Sequence, residues 1–319
     1  MKPVFRRTRR VLPLLLVATL GLGLASCGDD EPSSSSSSND NLDSVSVEGE
    51  VGTEPKVTFD GKVDVSEITT EVLTEGDGPE LATGDQVLSH LWIGNGFTEE
   101  KAFSTYDAEK PELLTVDEQQ LSPLFIEAVD GQTVGSRVMV AAPASEAFGE
   151  QGNPELGIGN KDTVVVVVDL MSDVLEEPSG QSAKPPSWVP DLVEKDGVPT
   201  GFDFKGVPEP NGQLRSADLV KGDGAKVEKG QTIVVNYLGQ VFGGKQPFDE
   251  SFSGDPTSFQ IGVGAVVPGW DKTLVGTNVG SRVVLAIPPE DGYGKQGNPQ
   301  AGIKGDDTLY FVVDVLAAG

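Results

Sequence analysis

Apolar and polar positions alternate with a period of two in a series of short segments, most clearly in the last third of the chain. Ile233, Val235 and Tyr237 alternate with Val234, Asn236 and Leu238, the spacing of a strand whose successive side chains point to opposite faces. Thr308 to Leu316 puts Leu309, Phe311, Val313 and Val315 on one face, and Phe259-Gln260-Ile261 and Arg282 to Ile287 continue the strand pattern. One stretch differs. Val266-Val267-Pro268-Gly269-Trp270-Asp271 offers a proline suited to a first helical position, and the spacing of Trp270 and Leu274 predicts a short helix ending near Gly276. Many strands, a single short helix and Gly/Pro-rich connections predict an α+β domain in which an antiparallel sheet wraps one helix. The apolar faces converge on Tyr237, Phe248, Val266, Val267, Trp270, Tyr293, Ile303 and Phe311. Asp249, beside Phe248, must be hydrogen-bonded or wet to be tolerated there.

The same pattern occurs twice, at an offset of about 145 residues. Leu73-Thr74-Glu75-Gly76-Asp77-Gly78 answers Leu219-Val220-Lys221-Gly222-Asp223-Gly224, and Val134-Gly135-Ser136-Arg137 answers Val279-Gly280-Ser281-Arg282. Phe148-Gly149-Glu150-Gln151-Gly152-Asn153-Pro154 answers Tyr293-Gly294-Lys295-Gln296-Gly297-Asn298-Pro299. Long, colinear matches mark two copies of one domain, and the period is far too long for a solenoid. The copies are expected at 55–175 and 201–319. Between them, 176–200 holds Pro178, Pro185, Pro186, Pro190 and Pro199 and reads as a semi-rigid linker, with Trp188 and Val189 available to pack on a neighbour.

At the start, Lys2, Arg6, Arg7, Arg9 and Arg10 precede an apolar run from Val11 to Leu24. The run is short for a membrane span and reads, over 1–27, as an export signal. It ends in Leu24-Ala25-Ser26-Cys27, which resembles a bacterial lipobox. The resemblance implies that Cys27 becomes the lipidated first residue of the mature protein and anchors it to the extracytoplasmic face of the cell membrane. An ordinary signal with an incidental cysteine is the alternative. Residues 28–54, with the run Ser33–Ser38 and few aromatics, are expected to be a disordered acidic tether.

Charge and composition then exclude whole classes of chemistry. The formal net charge is −27, and such a surface repels phosphate backbones, so nucleic acid is not an expected partner. His90 is the only histidine and Cys27 the only cysteine. That removes histidine-dependent triads, a cysteine nucleophile in the mature domains, disulfides and His/Cys zinc sites. The acidic residues never take EF-hand spacing, and Val267 stands where Gly262-Val263-Gly264 would need the third glycine of a dinucleotide fingerprint. Neither cofactor nor metal is expected.

The second copy resembles an FKBP-type peptidyl-prolyl cis-trans isomerase over nearly its full length. The residues that carry the resemblance are Val235-Asn236-Tyr237-Leu238-Gly239, Phe248-Asp249, Val266-Val267-Pro268-Gly269-Trp270-Asp271, Val279-Gly280, Ile287-Pro288-Pro289, Tyr293-Gly294, Gly297 and Thr308-Leu309-Tyr310-Phe311. The resemblance implies a proline-ring pocket walled by Tyr237, Phe248 and Phe311, with Trp270 as its floor and Val266 and Ile303 as apolar sides. It further implies that the Val267 N–H and the Tyr293 hydroxyl hydrogen-bond a bound peptide or macrolide inhibitor, and that Asp249 holds the polar edge. The segment Glu250 to Pro256 lacks the arginine that usually pairs with this aspartate, and Asn298 and Lys304 depart from the common choices in the last loop.

In the first copy, alignment places Leu91 at Tyr237, Ser104 at Asp249, Phe125 at Trp270, Phe148 at Tyr293 and Val166 at Phe311. The polar groups are gone and the apolar character stays, which describes a degenerate FKBP-like domain kept for its packing. His90, aligned with Asn236, lies outside the pocket set. The expected whole is a tandem FKBP-like bacterial lipoprotein that isomerises Xaa-Pro bonds of unfolded or exported polypeptides through its second copy. The alternative is a non-enzymatic chaperone or adhesion lipoprotein that uses both copies as peptide-binding modules.

Overall fold

The structure, a computed structural model, describes residues 42–319; the export signal, Cys27 and the expected tether up to residue 41 lie outside the described residues. The described chain opens with a hairpin, β1 (Val45–Glu48) and β2 (Lys56–Phe59). There follow β3 (Thr69–Thr74), β4 (Gln86–Asn95), β5 (Glu100–Ser104), β6 (Glu112–Thr115), α1 (Pro123–Val129), β7 (Arg137–Pro143), α2 (Ala144–Phe148) and β8 (Thr163–Asp173). They form one antiparallel sheet in the order β3-β7-β8-β4-β5, with β6 also on β4. The second half repeats the plan. β9 (Gly180–Ser182) and a hairpin of β10 (Asp191–Lys195) and β11 (Val198–Asp203) precede β12 (Arg215–Gly222), β13 (Thr232–Val241), β14 (Asp249–Glu250), β15 (Thr257–Gln260), α3 (Pro268–Leu274), β16 (Arg282–Ile287) and β17 (Leu309–Ala318). Its sheet runs β14-β13-β17-β16-β12-β9, with β15 also on β13. Two α+β copies with antiparallel sheets are therefore present as expected, except that the first copy adds the short α2 to the single helix foreseen.

Both sheets are covered on both faces. The five successive valines Val164 to Val168 show why: alternate side chains of one strand point to opposite faces, and here both sets are apolar. Val164, Val166 and Val168 pack with Leu124, Ala128 and Val129 of α1. Val165 and Val167 pack with Leu42, Val45, Val63 and Val65 from the segment around the first hairpin. In the second copy Val313, Val315 and Ile233 face Trp270 and Leu274 of α3. Leu238, Val284, Tyr310 and Val312 point the other way and are capped by Val189 and Phe202.

Two expected boundaries are corrected by this second layer. From Leu42 onward the supposed tether is ordered, and 176–200 is no linker, since it supplies β9 to the main sheet and β10 to the capping hairpin. The capping residues are few and widely spaced, so they leave no periodic trace, yet each has an apolar sheet face to cover. The repeating unit is thus longer than the matched motifs. One arginine of each copy helps to fasten its hairpin. Buried Arg137 pairs with Asp169 at 2.6 Å and donates to the carbonyls of Gly49, Glu50 and Thr53. Arg282 pairs with Asp314 at 2.6 Å and reaches Glu194 of β10 at 3.2 Å.

The two copies also touch. Leu88, opposite Ser172 in the first sheet, and Val234, opposite Ala317 in the second, hold equivalent positions and share one small apolar cluster. The Leu175 N–H donates to the Leu316 carbonyl at 3.1 Å.

His90 lies in the outer layer of the first copy, stacked on Tyr106 with ring centroids 4.0 Å apart and with Nδ1 2.8 Å from Thr105 Oγ1. Burial lowers its pKa against the opposing pull of the Asp169 charge. The folded chain then binds fewer protons than the unfolded chain as pH falls below the ordinary imidazole value of about 6.5, so stability contributed here rises with pH through that window. His90→Asn, which installs the residue found at the equivalent position 236, is expected to flatten this slope. Urea titrations of both proteins at several pH values between about 5 and 7.5 check it, and identical slopes would refute it.

Candidate active site

Strand β13 places Tyr237 on the helix-facing side of the second sheet, and α3 brings Trp270 up against it. Seven of the nine candidate residues, Tyr237, Asp249, Val266, Val267, Trp270, Tyr293 and Phe311, line one cavity of about 400 Å³, together with Phe259 and Ala265. Trp270 is 4 % exposed and forms the floor. Tyr237, Phe259 and Phe311 stand edge-on to its ring, with centroids 5.4, 5.4 and 5.5 Å away and interplanar angles of 82–84°. Such edge-to-face contacts use the positive ring edge against the negative face and fix each ring in place. The indole N–H is buried with no acceptor among the described residues.

The remaining two candidates stand behind the wall. Phe248 supports Phe311 at 5.6 Å and 85°, and Ile303 is buried in the core that carries the cavity. Phe259 and Ala265 are lining residues that no local sequence pattern marks. Pairing of β15 with β13 sets Phe259 opposite Ile233, hence on the face of Tyr237, and that register is not visible in the spacing of either strand alone.

The carboxylate of Asp249 accepts the Tyr237 hydroxyl at 2.7 Å, which answers how it is held without the usual arginine. Burial, and then this hydrogen bond, raise the Tyr237 phenol above its ordinary value, so it remains a donor at any physiological pH. Ser251 fixes the strand beneath: its Oγ accepts from the Tyr237 N–H at 3.0 Å. On the far side, Asp271 accepts from the N–H groups of Gly262 and Gly264 at 2.6 and 2.7 Å. Both glycines have positive φ, and the pinned turn presents Ala265, Val266 and Val267 to the cavity. The Val267 N–H has no acceptor among the described residues, and Tyr293 sits at the mouth, 38 % exposed. Asn298 proves to shape the last loop, since its side chain accepts from the Ala301 N–H just as Asn153 serves Leu156 in the first copy.

An aromatic cup with a few polar groups at its rim suits a small apolar ring carried on a peptide. The comparisons with known proteins agree. The model of the FKBP-type peptidyl-prolyl cis-trans isomerases matches residues 78–171 and 224–316. The chain belongs to that family. An FK506-binding protein of Streptomyces anulatus is 40 % identical over 116 residues, covering 36 % of this chain and 93 % of that protein. FK506-binding protein 4 of Aspergillus oryzae is 28 % identical over 216 residues, covering 65 % of this chain and 45 % of its own length. The crystal structure of the three FKBP domains of wheat FKBP73 shares 20 % identity, with a TM-score of 0.33, over 79 % of this chain and 94 % of that one.

Within this FKBP fold the two copies differ in how the cavity is treated. Gly239 leaves room for the rings of Phe248 and Phe311, which would lie 2.6 Å from an added Cβ; at the same place in the first copy stands Ile93, packed in its core. Val166 replaces Phe311, Leu91 replaces Tyr237, and Phe125 and Phe148 pack against the same apolar cluster. The strand pairing corrects one correspondence. Ile93 pairs with Phe103 as Gly239 pairs with Asp249, so Phe103, not Ser104, occupies the aspartate position. Thr105 Oγ1 accepting from the Leu91 N–H at 2.9 Å, as Ser251 does from Tyr237, fixes the same frame. Ser104 instead caps the following turn through the Tyr106 N–H.

Gly239→Ala should therefore force Phe248 and Phe311 out of position. We expect a loss of about 1–3 kcal/mol in stability, the usual range for overpacking, and at least a tenfold weaker affinity for proline peptides. Thermal denaturation and calorimetric titration of the full chain check this, and an unaltered melting point with unaltered affinity would contradict it.

Proposed function

We propose that the protein isomerises Xaa-Pro bonds of exported polypeptides, that turnover takes place in the second copy, and that a lipid on Cys27 holds the protein at the outer face of a bacterial membrane. The observation that carries the catalytic part is the contrast between copies. The cup of Tyr237, Phe259, Trp270 and Phe311, edged by Asp249, lines a cavity in one copy, while the corresponding positions of the other hold Leu91, Leu114, Phe125, Val166 and Phe103.

The reaction asks little of side-chain chemistry. An Xaa-Pro amide turns by losing its resonance, and no nucleophile, acid, base or metal is required. The twisted amide is less polar than the planar one, so an apolar cup favours it, and only preference for the twisted form accelerates the reaction. The uncatalysed barrier is about 20 kcal/mol, and lowering it by about 7 gives roughly 10⁵-fold acceleration. In this reading Trp270 and the flanking rings take the proline ring. The Val267 N–H and the Tyr293 hydroxyl hold the adjoining peptide carbonyls and keep the rest of the chain from turning with it. A macrolide of the kind for which the relatives are named would use the same donors. The anchoring part rests on the sequence Leu24-Ala25-Ser26-Cys27 behind a basic and apolar leader.

With the full chain and a short proline peptide, Trp270→Ala and Asp249→Ala are expected to lower kcat/KM by about 10–100-fold, while Phe125→Ala leaves it within twofold. Turnover insensitive to Trp270→Ala rules the proposal out. If aggregation of an unfolded client were suppressed with no isomerisation, the non-enzymatic reading would replace it. Anchoring is tested separately in a bacterial host by mass spectrometry of the mature N-terminus, where Cys27→Ser should lose the acyl mass and leave the membrane fraction.

A further inference from the structure

A second cavity, of about 510 Å³, lies outside the proline cup, between the β10–β11 hairpin and the segment that carries Phe248 and Asp249. Val198, Pro199, Leu238, Pro247 and Phe252 supply its apolar lining, with Lys245 and Glu250 among its polar residues. The two cavities share one strand. In β14, Asp249 lines the cup and Glu250 lines the outer cavity, because neighbouring residues of a strand point to opposite faces. β14 is the last strand at this end of the sheet, so a bound chain can pass around it. Three or four extended residues, at roughly 3.3 Å each, span the ~10 Å of one layer.

Two further observations point the same way. Leu238, at the base of the outer cavity, is matched in the first copy by Trp92, which is 4 % exposed and packs against Phe59 of the hairpin with ring centroids 6.3 Å apart. The copy with Leu91, Phe125 and Val166 at the cup positions thus also places a large ring beneath its hairpin, whereas the copy with the cup has the smaller Leu238 there. The rim is also held in shape. Glu250 is fixed by the N–H and hydroxyl of Ser253 at 2.9 and 2.7 Å. Buried Gln240 accepts from the Phe202 N–H at 2.9 Å and donates to the Gly244 carbonyl at 2.8 Å, tying hairpin to loop.

We propose that this outer cavity is a second subsite for the unfolded polypeptide whose proline occupies the cup, and that it takes an apolar side chain a few residues away in the same chain. It rests on the function proposed above for the cup. A peptide too short to round β14 gains nothing from the subsite. An unfolded protein gains affinity from engaging both sites at once, since the second contact is then intramolecular.

The test uses the full chain in three forms: wild type, Leu238→Trp, which installs the residue that the first copy has at position 92, and Val198→Asp. Val198 is 41 % exposed, so the charge it introduces at the rim does not endanger folding. Each is titrated, by fluorescence anisotropy, into a labelled, permanently unfolded, proline-containing protein and into a labelled proline tetrapeptide. The expected result is a five- to tenfold weaker affinity for the unfolded protein in both variants, with tetrapeptide affinity and turnover within twofold of wild type. If Leu238→Trp fails to fold, Val198→Asp alone decides. Equal affinity of wild type and Val198→Asp for the unfolded protein overturns the subsite, and so does a parallel loss for both ligands. Absence of tetrapeptide turnover in wild type counts against the isomerase reading instead and leaves the anisotropy comparison to judge the subsite by itself.

Discussion

Each sheet is built on central strands that are apolar on both faces, and the need to bury the second face governs everything outside the familiar domain. A helix satisfies one side. The other side, Val165 and Val167 in one copy and Leu238, Tyr310 and Val312 in the next, must find cover as well, at roughly 1.5–3 kcal/mol for each large side chain removed from water. Each hairpin provides that cover, and the paired Arg137–Asp169 and Arg282–Asp314 help to lock it down. These ions are expensive to bury singly, so each is found with its partner and with further acceptors. Where the hairpins end, the copies cover one another through Leu88 and Val234.

Against that densely packed background the candidate site is a place where packing has been withheld. Gly239 and Gly269 each admit side chains from elsewhere: an added Cβ at the first would strike Phe248 and Phe311, and at the second Ile287. The first copy makes the opposite choice at both. Ile93 stands at the place of Gly239, and Leu124 at the place of Gly269 faces a smaller Ala142 where the second copy has Ile287. In each case a larger side chain at the glycine position stands with a smaller one at its neighbour, Val166 for Phe311 and Ala142 for Ile287. The polar edge follows the same division, since Asp249 is held by Tyr237 and neither has a polar counterpart in Leu91 or Phe103.

Much of this is legible in the amino-acid sequence itself. Period-two alternation located β13, β16 and β17 to within three residues at either end, and the Pro-Gly start located α3. Most of the cavity residues could be named because they lie within a few local motifs. What stayed hidden was set by contacts between distant segments. Phe259 joins the cup only through the register of β15 on β13, the frame of Ser104 against Asp249 only through the pairing of β5 with β4, and the hairpins only through the sheet faces they meet.

By itself, then, the sequence determined the two-copy plan, the strand faces and the membership of the aromatic set, because periodicity and turn chemistry act over a few residues at a time. Tertiary structure alone decided which apolar residues leave a space and which close it. Leu238 and Trp92 occupy equivalent positions on equivalent strands, yet one borders a cavity and the other fills against Phe59. The difference lies in how volumes from several strands and a hairpin add up at one point, and no local pattern carries that sum.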